Sequence, residues 1–253
     1  MDVDALNDEQ WARIEPFVPG GRKGRRGPRT NNRRFVDALI WMARSGGRWR
    51  DLPERYGNYQ TAKRRYYRWI EMGVLEKLFE ALAKEADLDW VAIDSTSIRA
   101  QPQAAGARRK KGGADTQGLG RSRGGLGTKI HAVVDALGLP VRLVLAPGHR
   151  GDVIYGKDLL DGLKPRHVIA DRAYDADHFH DTILDAGAIA VIPPRPERRR
   201  PHACDWRLYK ERNLIERFFA KLKQFRRVAT RYDKLLANFR GFVLIAAITI
   251  WLR

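Results

Sequence analysis

Apolar positions in the first third of the chain recur at helical spacing. Asn7 with Gln10 three places on makes a capping box, and Trp11, Ile14 and Phe17 follow until Pro19 ends the element. Phe35, Leu39 and Met42 stand at i, i+4 and i+7, with Gly46 and Gly47 closing that helix. A connection through Trp49, Leu52 and Pro53 leads to a third helix starting near Asn58. On it Ala62, Tyr66, Trp69 and Ile70 fall on one face, and Thr61, Arg64, Arg65 and Arg68 on another. A short helix, a turn and a basic amphipathic helix is a helix-turn-helix order, whose second helix can enter a major groove. Arg64, Arg65 and Arg68 are the candidate DNA contacts on it.

From Leu88 the period shortens to that of strands. DLDWVAIDSTSIRA is a β-rich run, and KIHAVVDALGLPVRLVLAPG reads as two strands joined at a Gly-Leu-Pro turn. After Gly151 helices and strands alternate: a helix around Val153 to Leu163, a strand at 167 to 171, a helix near Asp177 to Ala186 and a strand at 189 to 193. That is αβαβ with parallel-sheet spacing. A long helix from about Trp206 to Arg226 follows, and a hydrophobic helix closes the chain. The expected organisation is therefore an all-α region over 1–86 and an α/β region over 87–253.

Composition narrows the partners. The 253 residues carry 48 Lys and Arg against 30 Asp and Glu, a formal charge of +18, which points to a polyanion. Hydrophobic residues make up 43%, so the chain has the means to fold. A single cysteine, Cys204, excludes a disulfide framework and multi-cysteine zinc modules and fits a reducing compartment. The opening MDVDALNDEQ lacks the apolar core of an export signal, and the apolar run Gly241 to Leu252 is too short for a membrane span, so a cytoplasmic protein with no membrane partner is expected. Two stretches are basic and Gly-rich: Gly20 to Arg34 reads as a linker or arm, and Arg108 to Arg123 as a mobile loop that can lie along phosphates.

Two carboxylates stand at the ends of apolar strands: Asp94 after Trp90 to Ile93, and Asp171 after Val168 to Ala170. Ligands gather beyond the C-terminal ends of parallel strands, so two such acids can converge. A third acid, Glu216, lies on the long helix with Tyr209, Arg212 and Lys223 along nearly one stripe, while Leu214, Phe218 and Leu222 can bury on the other side.

The spacing Tyr-x2-Arg-x3-Glu-x6-Lys, realised as Tyr209, Arg212, Glu216 and Lys223, resembles the signature helix of bacterial insertion-sequence transposases of the Asp-Asp-Glu class. Asp171-Arg-Ala-Tyr174 is similar to their second acidic motif, and the strand Trp90 to Ser97 with Asp94 to the first. The stretch Leu6 to Leu78, with DEQWARIEPF, GRWRDLPERYGNYQT and RYYRW, resembles the leading region of the insertion sequence 5 group. The resemblance implies a ribonuclease-H-like mixed sheet, an antiparallel meander followed by alternating helices and strands, behind the helix-turn-helix-like region. It implies Asp94, Asp171 and Glu216 as catalytic ligands of Mg2+, with two ions and with Mn2+ able to substitute. Clustered carboxylates favour divalent cations, and hard Mg2+ prefers oxygen donors. Tyr209, Arg212, Lys223 and Arg172 would contact phosphates.

The partners implied are double-stranded DNA, as terminal inverted repeats and as target, and further copies of the chain holding paired ends, at the bacterial nucleoid. The interval from Asp171 to Glu216 leaves no room for a large β-rich insertion, so a hairpin pathway supported by one is not expected. Two other readings stay open: a two-metal nuclease that cuts without joining, and an inactive helix-turn-helix regulator. Among other prominent residues, His178 and His180, at i and i+2, read as exposed polar side chains, His131 as a hydrogen-bonded structural histidine, and Arg198 to Arg200 as a phosphate contact.

Overall fold

A computed structural model describes residues 5–20, 31–105, 117–122 and 124–253. Most of both basic Gly-rich stretches lies outside the described residues. In chain order the elements are helices α1 (Asp8–Ile14), α2 (Asn32–Ser45), α3 (Tyr59–Glu71) and α4 (Val74–Ala83), strand β1 (Trp90–Ala100), the short helix α5 (Pro102–Ala105), strands β2 (Gly120–Ser122), β3 (Gly125–Val134) and β4 (Pro140–Pro147), helix α6 (Gly156–Leu160), strand β5 (His167–Ala170), helix α7 (Asp177–Asp185), strand β6 (Ile189–Val191), and helices α8 (Trp206–Tyr209), α9 (Asn213–Lys223), α10 (Arg226–Ala229) and α11 (Leu236–Trp251).

The chain divides into two compact units, neither of them one continuous stretch. The first comprises Met1–Leu82, Gln101–Ala107 and Leu222–Arg253, and the second Ala83–Ala100 and Arg108–Lys221. The last stretch thus groups with the opening helices, a long-range association that spacing along the chain does not reveal.

In the first unit the capping box forms as expected: Gln10 N donates to Asn7 Oδ1 at 2.8 Å and Asn7 N to Gln10 Oε1 at 3.0 Å. Helix α2 ends at Gly46, whose φ of 67° suits glycine. Asn58 caps α3 by accepting from Gln60 N and Thr61 N. Helix α11 is buried almost throughout, as a helix apolar on all sides requires. No helix among the described residues is long and apolar enough to cross a membrane. The connection from α2 to α3 runs from Gly46 to Asn58 through two 3-10 turns, not through the tight turn of a helix-turn-helix.

The second unit is mixed α/β. Its sheet has the order β2-β3-β1-β5-β6, with β4 also paired to β3. β1, β3 and β4 form an antiparallel meander, and β5 and β6 join in parallel. The β3–β4 turn is tied by Asp135, whose Oδ1 accepts from Leu137 N at 3.0 Å and Leu139 N at 2.8 Å. Val91, Ile93, Val133 and Val168 form a core with Phe179 and Ile183 of α7.

The long helix expected over Trp206 to Arg226 is divided. A 3-10 turn, Lys210–Arg212, separates α8 from α9, and Phe225 is extended before α10. Lys210 and Asn213 keep right-handed helical backbone, so the coil tightens and does not break there. Asn213 Nδ2 donates to the Lys210 carbonyl at 2.8 Å, a local bond that favours the tighter turn. Ile215, Phe218, Phe219 and Leu222 are buried, whereas Leu214, expected inside, is half-buried.

Candidate functional site

Asp94 does not end its strand. β1 continues to Ala100 along β3, with Asp94 opposite Ala132, while its parallel partner β5 stops at Ala170. Because Ile93 pairs with Ala170, Asp94 and Asp171 are the next residues on two neighbouring parallel strands. Of the two carboxylates expected at strand ends, Asp171 follows the end of β5, whereas Asp94 lies within β1.

The Asp94 side chain is 20% exposed. Its Oδ1 accepts from Ser95 N at 2.7 Å and its Oδ2 from Arg212 Nη1 at 3.0 Å. Burial is the main cause that pushes its carboxyl up to about 6, with Asp171 and Asp152 adding to it against the Ser95 and Arg212 bonds. Asp171 caps the 3-10 turn Arg172–Tyr174 by accepting from Ala173 N at 2.9 Å.

Arg212 is the hinge of the cluster. Besides Asp94 it bonds Glu216 Oε1 through Nη2, and its guanidinium carbon lies 5.9 Å from the Tyr209 ring centroid. Burial works to lower its pKa, but Tyr209, Asp94, Glu216 and Asp171 together raise it above the ordinary value. Three of the four signature residues are therefore linked through Arg212, despite the 3-10 turn Lys210–Arg212. Glu216 is exposed, as is Lys223 at the last position of α9. Tyr209 is half-buried and meets Trp206 edge-on at 5.9 Å, while Arg172 is exposed. Among the described residues no three His, Cys, Asp or Glu side chains are grouped so as to hold a metal ion. Arg212 spans Asp94 and Glu216.

Sequence reading missed a second network around Asp152. Strand alternation puts Ser95 on the sheet face opposite Asp94, together with its cross-strand partner His131 and with Lys129. Asp152 Oδ1 accepts from Ser95 Oγ at 2.7 Å and Lys129 Nζ at 2.9 Å. His131 is fully buried, and neither ring nitrogen has a hydrogen-bond partner, contrary to the expected bonded histidine. Burial lowers its pKa to about 4, so it is neutral, 3.7 Å from Asp152. Lys129 and His131 at i and i+2 of a strand were the available signal; Asp152, on a loop, gave none.

Several expected contacts are otherwise engaged. Arg65 stacks over Phe35 at 4.2 Å, bonds Asn32, and is lowered to about 10 by burial, whereas Arg64 and Arg68 are exposed. Arg198 is bound to buried Asp175 at 3.0 Å and to Asp177 at 2.6 Å, so it is not a free phosphate contact. His180 lies 3.0 Å from Asp175 and stacks on His202 at 3.9 Å, whereas His178 is exposed.

A mixed sheet with aspartates at adjoining positions of parallel strands, joined through an arginine to a glutamate on a later helix, fits the Asp-Asp-Glu class of transposases. The chain belongs to the family described as "Transposase DDE domain", whose model matches residues 85–252. Residues 6–79 match a second family, described as "Putative transposase of IS4/5 family". The chain is 54% identical over 128 residues to the putative transposase for insertion sequence element IS6501 of Brucella ovis, covering 50% of this chain and 98% of that protein. It is 71% identical over 113 residues to the uncharacterized protein y4sN of Sinorhizobium fredii, covering 45% and 90%. In fold it is similar to the piggyBac transposase, solved in a synaptic complex with hairpin DNA, with a TM-score of 0.53 at 11% identity, covering 94% of this chain and 69% of that one. At that identity the likeness is one of fold, and it fits a ribonuclease-H-like sheet.

Proposed function

We propose that this insertion-sequence transposase cuts DNA at the ends of its element and joins the freed 3' ends to target DNA, with Asp94, Asp171 and Glu216 as its catalytic carboxylates. The observation that carries the reading is Arg212 held between Asp94 and Glu216, with Asp171 beside Asp94 on the neighbouring strand.

The donor set suits Mg2+, since all three groups offer hard oxygen atoms and the guanidinium between two of them marks a place that favours positive charge. Asp94, Asp171 and Glu216 would hold it, and Mn2+ would substitute. Bound there as a pair of ions, it would supply Lewis acidity at phosphorus and a lowered pKa for the attacking oxygen. The chain's own residues do the rest. Arg212 offers a planar fork to a phosphate once it leaves the carboxylates. Tyr209 backs that fork, and Lys223 and Arg172 add charge for the flanking phosphates. The helical region, through Arg64 and Arg68 of α3, would bind the element's terminal repeats. Two or more copies would hold a pair of ends.

Purified protein incubated with Mg2+, a plasmid target and short end-containing duplexes tests this. Joined products support it. Cuts without joining would replace it with a nuclease, and a mobility shift alone with a DNA-binding regulator.

A further inference from the structure

Among the described residues the first unit carries a concave surface built from residues other than those of the carboxylate cluster. It is a groove of about 1210 Å3 formed by residues of the α2–α3 connection, α3, and the stretch around Arg227 and Tyr232. Small-molecule sites hold roughly 300 to 1,000 Å3, so its size suits an extended ligand.

The charge of the groove is positive. Arg50, Lys63 and Arg64 line it, and its single carboxylate, Asp51, is taken up by Arg48, which donates Nε at 3.1 Å and Nη2 at 3.0 Å. Its walls are tied together: Arg227 donates Nη1 to the Gly47 carbonyl at 2.8 Å and Nη2 to Asp233 at 3.1 Å. The surface is therefore pre-formed.

A phosphate backbone explains the cations but not the rest of the lining. Tyr59, Tyr67 and Tyr232 also face the groove, with the amides of Gln60 and Gln103. Tyr232 is 44% exposed, which leaves its ring accessible from the groove. Lys63 Nζ lies 5.8 Å from the Tyr67 ring centroid, so a cation and an aromatic ring are neighbours in the lining. In a matched duplex the base faces are hidden by stacking, so the tyrosine rings would find no face to stack on, whereas the amides of Gln60 and Gln103 suit base edges in either DNA form.

We infer that this groove binds a single, unpaired DNA strand, its phosphates on Arg50, Lys63 and Arg64 and its bases stacked on Tyr67 and Tyr232. The inference rests on the transposase reading only for the polyanion being DNA. It assigns the first unit a task beyond duplex recognition: holding a strand that has separated from its complement.

The test is fluorescence anisotropy of the full chain, in chelator, with labelled oligo-dT and a matched duplex of equal length. Tyr67→Ala and Tyr232→Ala should each weaken the single strand roughly tenfold and the duplex less than twofold. Tyr232→Phe, which keeps the ring, should retain affinity. Arg50→Ala and Arg64→Ala should lower the salt slope for the single strand by about 0.7 each. Tyrosine variants that fold but leave oligo-dT binding unchanged, or weaken both DNA forms alike, would overturn the groove. Since no metal is present, that failure would leave the joining activity untouched, and a chain that joins nothing but shows the tyrosine-dependent difference would uphold the groove alone.

Discussion

Arg212 Nη1 lies 3.0 Å from Asp94 Oδ2, joining residues 118 apart in the chain. The same guanidinium holds Glu216, so it neutralises two of the three proposed ligands. Arg212→Gln should free both carboxylates, and Mn2+ affinity without DNA should rise several-fold by calorimetry, about 1 kcal/mol of removed repulsion. Joining should nevertheless fall at least tenfold, because the fork that positions phosphate is gone. Unchanged Mn2+ affinity would show that Arg212 does not compete for the site.

Asp175 organises the loop before α8. Burial works to raise its pKa, but bonds from Arg195 N at 2.7 Å, from Arg198 and from His180 outweigh it and leave the carboxyl below the usual range. Asp175→Ala removes the acceptor of Arg195 N, Arg198 and His180, while Arg198 keeps Asp177, and should cost about 1 to 3 kcal/mol in chemical denaturation. A loss under about 1 kcal/mol would mean that the network contributes little.

Two buried groups, Asp94 and His131, act in opposite directions on stability in acid. Asp94, raised from 3.8 to about 6, binds its proton more tightly when folded, so it adds stability as pH falls from 6 towards 3.8. His131, lowered from 6.5 to about 4, takes its proton more readily when unfolded, so stability is lost as pH falls from 6.5 towards 4. At roughly 1.4 kcal/mol per unit the two effects reach about 3 kcal/mol each and oppose one another. In chelator, Asp94→Asn should make the denaturation midpoint fall steeply below pH 6.5, and His131→Leu should make it rise. Parallel profiles for the three proteins would refute the assignment.

Helices α3 and α11 meet at Gly241, where an added Cβ would lie 2.5 Å from Tyr66 Oη and 3.2 Å from Ile70 Cδ1. Tyr66 cannot yield easily: it is fully buried and its hydroxyl donates to the Asn238 carbonyl at 2.6 Å. Gly241→Ala should therefore destabilise the protein by about 1 to 3 kcal/mol in a denaturant melt, although alanine is the better helix former.

Local signals were readable where local physics decides. Asn7, Gln10, Gly46 and Asn58 act as caps because capping involves neighbours in sequence, and Tyr209, Arg212 and Glu216 meet because helical spacing brings them together. The Asp94–Asp171 pairing was half legible: both follow apolar runs, but only the register shows that β5 stops where β1 continues. Asp152 stands on a loop with no period, and its partners come from β1 and β3. The fates of Arg65 and Arg198 depend on Phe35 and Asp175, distant residues that no local pattern names. The grouping of α11 with the opening helices is likewise a matter of tertiary packing.

The central claim is that Asp94, Asp171 and Glu216 serve one divalent-cation site. Its most direct test is Mn2+ binding to the full chain, followed by electron paramagnetic resonance, for the native protein and for Asp94→Asn, Asp171→Asn and Glu216→Gln. Each single variant should weaken Mn2+ binding at least tenfold while duplex DNA affinity stays within twofold. Native Mn2+ affinity in any one of them would remove that residue from the site and contradict the account.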